Sequence, residues 1–213
     1  MRYKAVALDV CGVLTTHKSV WQFIHEELGL WEGRAEKYQE EFRAGSISYR
    51  EFCERDARLW AGMGLAEMEE IVARVRYTDG VGELFSSLKD RGVIACLIST
   101  GLTLLTDRIS RDFYIKYSYA NYLVSSKGVL TGDVEIRVPH DGKGKALISF
   151  WDSVGIEPSN VIAVGDGASD IPMFYEAGFA IGFGEVSGDA RGASDVVVPE
   201  EIEVLIEVIN RIS

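Results

Sequence analysis

Asp9 closes the apolar run Ala5-Val6-Ala7-Leu8 and is followed three residues later by Gly12. That pattern reads as a buried strand delivering one carboxylate to its C-terminal end, where the backbone turns sharply. Ser99-Thr100-Gly101 ends a second apolar run, residues 93–98, and Gly165-Asp166-Gly167 ends a third, residues 161–164, with Asp170 just beyond; Lys143 opens a helical stretch. Strand ends in a parallel sheet point to one edge, where open α/β sheets bind their ligands, so these distant positions can converge. Two or three carboxylates without a His or thiolate partner suit a hard divalent cation, and Mg²⁺ is the usual choice. A lysine and a hydroxyl beside them would bind an anion that the metal also holds. A carboxylate facing an electrophile held in this way is a nucleophile, and phosphoryl transfer to an aspartate is its familiar use. Taken singly, each cluster has a plainer explanation: Asp9 and Ser99 as caps, Lys143 as a surface residue, Gly165-Asp166-Gly167 as a turn. Their joint occurrence in this order disfavours caps and turns alone.

The elements that must position these residues are legible as alternating strands and helices. After the first strand, residues 16–78 read as a helical insert without a convincing strand. Ser19 with Gln22, and Ser48 with Glu51, look like capping boxes. Trp21, Ile24 and Leu28, then Phe52, Leu59 and Trp60, form apolar stripes, and residues 65–75 make a third amphipathic segment. From Asp79 the pattern gives a helix over 80–90 stopped at Gly92, the strand over 93–98, and a helix over 103–112. A small antiparallel excursion follows over 122–138, with turns at Ser126-Lys127-Gly128 and Thr131-Gly132-Asp133. Beyond it come a helix over 143–154, the strand over 161–164, a helix over 171–177, strands over 179–181 and 196–198, and a last helix opened by Pro199. Alternation of this kind predicts an α/β fold, a doubly wound parallel sheet covered on both faces. The expected domains are a core of 1–15 plus 79–213 and a helical domain of 16–78.

Composition narrows the function classes. The chain has 213 residues, 47% hydrophobic and 26% charged, enough to bury a substantial core. A formal net charge of -11 argues against nucleic acid or an anionic membrane as partner. Small anions remain possible where a local cation reverses the field. No apolar run approaches the ~20 residues that span a bilayer, and no signal-peptide pattern opens the chain. Cys11, Cys53 and Cys96 are odd in number and widely spaced, reading as reduced thiols of a cytoplasmic protein. The expected partner is a small phosphorylated metabolite, bound by a monomer or homodimer.

The order Leu8-Asp9-Val10-Cys11-Gly12-Val13-Leu14-Thr15, Ile98-Ser99-Thr100-Gly101, Lys143-Gly144 and Gly165-Asp166-Gly167-Ala168-Ser169-Asp170 resembles the haloacid dehalogenase superfamily, most closely its phosphoserine phosphatase branch. The resemblance spans the chain and implies a Rossmann-like core with a helical cap over its active edge. It implies Asp9 as the nucleophile that becomes aspartyl-phosphate, Ser99 as a donor to the phosphoryl oxygens, and Lys143 as the neutralising cation. It also implies Mg²⁺ held by Asp9, Asp166 and the main-chain carbonyl of Cys11, with Asp170 completing the metal's inner or outer shell. Backbone N–H groups freed by the turn at Gly12 would add donors to the phosphate, with Thr100 and Gly101 lining the substrate site.

Four positions depart from the family pattern. The family's phosphatases place an acid/base Asp two residues after the nucleophile; here that residue is Cys11. Loss of a positioned acid/base costs on the order of 10²–10⁴ in rate. A cap Glu expected nine residues after the nucleophile falls on Lys18, and a cap Arg that clamps substrate carboxylate falls near Glu54, with Arg55 adjacent and Arg58 close by. That exchange of sign argues against phosphoserine as substrate. Ser169 replaces the usual Asn before the last Asp. The leading expectation is a Mg²⁺-dependent phosphatase or phosphotransferase. A catalytically quiet relative that binds a phosphorylated ligand or a protein ranks second, and halide displacement ranks last because the Gly-Asp-Gly loop is retained.

Overall fold

The computed structural model describes residues 2–212. Its frame is one seven-stranded sheet made of β1 (Ala5–Leu8), β2 (Ile94–Leu102), β3 (Tyr117–Ser126), β4 (Val129–Glu135), β5 (Val161–Gly165), β6 (Phe179–Phe183) and β7 (Val196–Val198). The strand order is β4-β3-β2-β1-β5-β6-β7, parallel throughout except for the β3–β4 pair. The chain is therefore an α/β protein with a doubly wound, mostly parallel sheet, the fold class its sequence predicts.

Side chains alternate across the pleat, so each strand supplies two apolar layers. Val6, Leu8, Leu97, Ile162 and Val164 enter one core, against α5 (Val81–Asp90), α6 (Thr103–Phe113) and α10 (Ile202–Ile212). Ala5, Ala7, Cys96, Ile98, Val161 and Ala163 enter the other, against α7 (Lys143–Val154), α8 (Ile171–Glu176) and α9 (Gly188–Ala193). Small residues on this second face of β1 let α7 and α8 approach closely. Between those helices a Cβ on Gly144 would sit 2.7 Å from the Pro172 carbonyl oxygen.

Between β1 and α5 lie α1 (Val20–Glu27), an irregular link (Trp31–Ala35), α2 (Glu36–Arg43), α3 (Tyr49–Leu59) and α4 (Leu65–Val72). Glu32 is extended and Gly33 left-handed in the link, which separates α1 from α2. The two ends of this insert are stitched together where it leaves the sheet: Thr16 N–H donates to the Arg76 carbonyl (3.1 Å) and Thr78 N–H to Leu14 (3.0 Å). Its far end is tied to the hairpin, where Gly62 N–H donates to Leu130 and Leu130 N–H to Met63. Trp21, Phe52, Trp60 and Met68 join the same apolar core as Leu8 and Leu97.

Several boundaries differ from the sequence reading. β2 does not stop at residue 98 but runs through Ser99-Thr100-Gly101, with an irregular register there. Thr131-Gly132-Asp133 is no turn; it lies inside β4, where a Cβ on Gly132 would press on Ala61 of the insert. β3 starts at Tyr117 and pairs with β2, so the antiparallel excursion is the edge of the main sheet. The last helix starts at Ile202, not at Pro199. Only half of each capping box forms. Ser19 and Ser48 accept from the Gln22 and Glu51 N–H groups, but the Gln22 and Glu51 side chains turn to Glu26 and Arg55. Neither α2 nor α9 was expected.

Candidate active site

The site is built where β1 and β5 run side by side. Leu8 pairs with Val164, and Asp9 N–H donates to the Val164 carbonyl (2.9 Å), which holds the Asp9 carboxylate at the C-terminal edge of the sheet. The Val10 carbonyl then accepts both Leu14 N–H (2.9 Å) and Thr15 N–H (3.1 Å), closing a tight loop. Gly12 turns that loop in the left-handed region (φ 88°), and a Cβ there would run into the Asp166 carboxylate. Its N–H donates to the Thr15 carbonyl (3.1 Å), so what Gly12 itself contributes is a turn and a space.

The β5 side folds onto the same point. Asp170 is fully buried, and its Oδ2 accepts the N–H groups of Asp166 (3.0 Å) and Gly167 (2.9 Å). Gly165 has no side chain because the Asp170 carboxylate fills that space. Lys143, the first residue of α7, is buried to 1% exposure and aims Nζ between two acids, 2.6 Å from Asp9 Oδ1 and 2.5 Å from Asp170 Oδ1. Both Asp170 oxygens are thus engaged, by Lys143 and by backbone donors, which makes Asp170 the anchor of the lysine.

Charge at this point is unbalanced. Asp9, Asp166 and Asp170 offer oxygens that all lie within 4.8 Å of one another, against one ammonium. Burial raises the Asp9 pKa well above the ordinary carboxylate value, Asp170 raises it further, and Lys143 pulls it down. Asp166 is pushed up to about 6, first by burial and then by Asp170. Burial would lower Lys143, but Asp170 and Asp9 outweigh it and hold its pKa above the usual lysine value. Three carboxylates, all hard oxygen donors, against one lysine fit a divalent cation such as Mg²⁺.

Above these groups opens a cavity of about 330 Å³. Asp9, Cys11, Lys18, Ser99, Thr100, Gly101, Asp166 and Ser169 line it. Ser99 Oγ accepts Gly101 N–H (2.9 Å), which leaves its hydroxyl hydrogen to donate. The Cys11 thiol is pushed up to about 12 by burial and then by Asp9. Thr100 turns its carbonyl to the insert, accepting from Tyr49 Oη (2.5 Å), Trp21 Nε1 (3.3 Å) and Asn121 Nδ2 (2.9 Å).

Glu54 and Arg55 do not reach this cavity. Arg55 donates to Glu41 (2.6 Å) and Glu51 (2.7 Å) within the insert, and Glu54 sits 3.9 Å from both Arg50 and Arg58. The arginine of the insert that lines the cavity is Arg43, on the unexpected α2, and His140 joins it from the loop before α7. Ala35, Tyr38 and Phe42 at i, i+3 and i+7 form a short, faint apolar stripe, the signal that marks α2. His140 is a lone histidine with no pattern around it.

The model of the haloacid dehalogenase-like hydrolases matches residues 6–174. The chain is 30% identical over 181 residues to the phosphoserine phosphatase of Methanocaldococcus jannaschii, covering 84% of this chain and 85% of that one. It is 32% identical over 188 residues to that of Albidiferax ferrireducens, covering 85% and 78%. Among solved structures, a phospho-aspartyl intermediate analogue of phosphoserine phosphatase superposes with a TM-score of 0.84 at 26% identity, over 98% of this chain and 99% of the other.

Proposed function

The chain belongs to the haloacid dehalogenase-like hydrolases, on the phosphoserine phosphatase-like branch. From that premise we propose that it is a Mg²⁺-dependent phosphatase of a small phosphorylated metabolite, working through an aspartyl-phosphate on Asp9. The observation that carries the reading is the buried chain Asp9–Lys143–Asp170 with Asp166 beside it.

Lys143, fixed by Asp170, grips one oxygen of Asp9 and leaves the other to attack phosphorus. As that P–O bond forms, the ester P–O bond breaks and its electron pair leaves with the departing oxygen. Water then attacks the same phosphorus and loses its proton to solvent as the bond from the Asp9 oxygen to phosphorus breaks, which returns Asp9 as a carboxylate and releases phosphate. The Ser99 hydroxyl and the Lys143 ammonium offset the charge on the phosphoryl oxygens in both steps. Mg²⁺, held by Asp9, Asp166 and the carbonyl of Cys11, supplies further positive charge when bound.

Cys11 sets the limit of this chemistry. A thiol with a pKa near 12 stays protonated and donates weakly, so the leaving oxygen must depart largely without help. Esters whose leaving groups are stable anions suit such a site. The relatives are named for phosphoserine, an alkyl ester bearing an ammonium, whereas here Lys18 lines the cavity. Cys11 also favours a second reading, a catalytically quiet relative that binds a phosphorylated ligand or a protein. We take residues 16–78 as a cap domain on a core of 1–15 plus 79–213, and the protein as cytoplasmic. Three free thiols and the lack, among the described residues, of a helix long and apolar enough to cross a membrane accord with that placement.

The test is turnover of 4-nitrophenyl phosphate with Mg²⁺. Hydrolysis is expected, abolished by EDTA, and reduced at least about 10³-fold by Asp9→Asn. Silence across a panel of activated phosphates would select the quiet relative instead.

A further inference from the structure

A second chamber, about 510 Å³, adjoins the phosphoryl cavity and shares Ser19, Trp21, Arg43, Thr100 and His140 with it. A group bonded to a phosphorus beside Asp9 would have this space to extend into, and its size is that of a small-ligand site. We propose that the chamber selects a leaving group with a planar apolar body and a second negative charge, and that Arg43 reads that charge. The proposal rests on the phosphatase reading above and names its substrate class.

The walls supply the planar half of the argument. Phe42 stacks on Phe52 (5.4 Å, 18°), and the His140 ring meets Phe42 at 5.2 Å and Tyr49 at 5.8 Å. Two of the polar tips on these walls are already engaged. Tyr49 Oη donates to the Thr100 carbonyl and accepts from Asn121 Nδ2 (3.1 Å), and Trp21 Nε1 donates to the same carbonyl. Those rings therefore offer faces and edges to a ligand, not hydrogen bonds. Burial, then Lys143, lowers the His140 pKa, so its ring adds a neutral wall near neutral pH.

The charges supply the other half. Among the described residues, Arg43 is the only charged side chain lining this chamber, and no Asp or Glu does so. Neither Arg43 nor Lys18 has a carboxylate within ion-pair distance among the described residues. An unpaired guanidinium at the edge of an aromatic chamber presents a planar fork of donors that fits a carboxylate or phosphate. An ammonium placed there would meet Arg43 with no counter-charge, so amino-bearing leaving groups are disfavoured.

The experiment compares phenyl phosphate, 4-carboxyphenyl phosphate and 4-(aminomethyl)phenyl phosphate as substrates. The matching phosphonates are titrated by calorimetry as non-hydrolysable ligands. The wild type should prefer the carboxylated compound over the unsubstituted one by roughly tenfold, mostly in KM and in phosphonate affinity, and the aminomethyl compound should be poorest. Arg43→Ala should collapse that ratio, Arg43→Lys should restore most of it, and Arg43→Glu should reverse it toward the aminomethyl compound. If Arg43→Ala weakens all three equally, the arginine holds the transferred phosphate and the proposal is overturned; an unchanged ratio overturns it as well. A phosphonate preference without any turnover would remove the phosphatase reading and leave Arg43 as the reader of a charge on a bound ligand, and turnover without the preference would overturn this inference and keep the phosphatase reading.

Discussion

The sheet edge and the helical insert meet across one cavity but are built on opposite rules. At the sheet edge the Lys143 and Asp170 side chains are buried and fully partnered, and the charge that remains is an excess of acid beside one lysine. On the insert side the walls are aromatic, and the cations Lys18 and Arg43 are exposed and unpaired among the described residues. The first arrangement is pre-organised for one chemistry, since its charges are held in place before a ligand arrives. The second leaves its charges for the ligand to satisfy. On the reading proposed above, the sheet edge sets the reaction type and the insert sets the choice of substrate.

The largest expected gain comes from restoring a carboxylate at the sheet edge. Cys11→Asp should raise kcat/KM on an alkyl phosphate by on the order of 10², while an aryl phosphate, which barely needs protonation, should gain less than about tenfold. Equal gains on both substrates would show that proton donation is not what the thiol fails to supply. They would also break the claim that the sheet edge alone sets the chemistry.

A smaller effect follows from the unbalanced acids. An acid whose pKa is raised by folding holds its proton in the native state at pH values where the unfolded chain has lost it. Stability is then gained at low pH and lost as pH rises through the folded value. For Asp166, raised to about 6, the metal-free protein should lose on the order of 1–3 kcal/mol between about pH 4 and pH 6. Mg²⁺ should return that stability above pH 6 and have little effect near pH 4.5. Urea melts with Mg²⁺ or EDTA across this range check it, and a stabilisation by Mg²⁺ that is independent of pH would refute it. Asp56, buried against His25 in the insert and with its pKa raised by that burial, adds a loss of the same sign that Mg²⁺ should not reverse.

The two regions also differ in how far their residues could be read from sequence. Asp9, Ser99 and Asp166 end apolar runs or follow them closely, and a parallel sheet carries such positions to one edge whatever the loops do. Lys143 was placed by the start of its helix. Arg43 escaped because α2 is mostly charged and buries no side chain, so its apolar stripe is faint. His140 sits in a loop, where nothing periodic marks it. The antiparallel pair is legible, but Gly132 reads as a turn residue, while its real cause is the close approach of Ala61. Tertiary contact, not local propensity, fixed that glycine.

The smallest effect tests the cap residue that sequence spacing favoured and geometry does not. Arg55 lies close to the position expected to clamp a substrate carboxylate, yet its guanidinium is held by Glu41 at 2.6 Å and Glu51 at 2.7 Å, away from both cavities. Those hydrogen bonds raise its pKa, Glu51 contributing most, so the charge is engaged and not poised for a ligand. Ion pairs this exposed contribute little, and Arg55→Ala should leave kcat/KM for every phosphate ester within about twofold of wild type. A tenfold rise in KM confined to carboxylated substrates would instead put Arg55 in the chamber. The insert would then have to rearrange when substrate binds, and its side of the cavity could no longer be read as a fixed surface opposite the sheet.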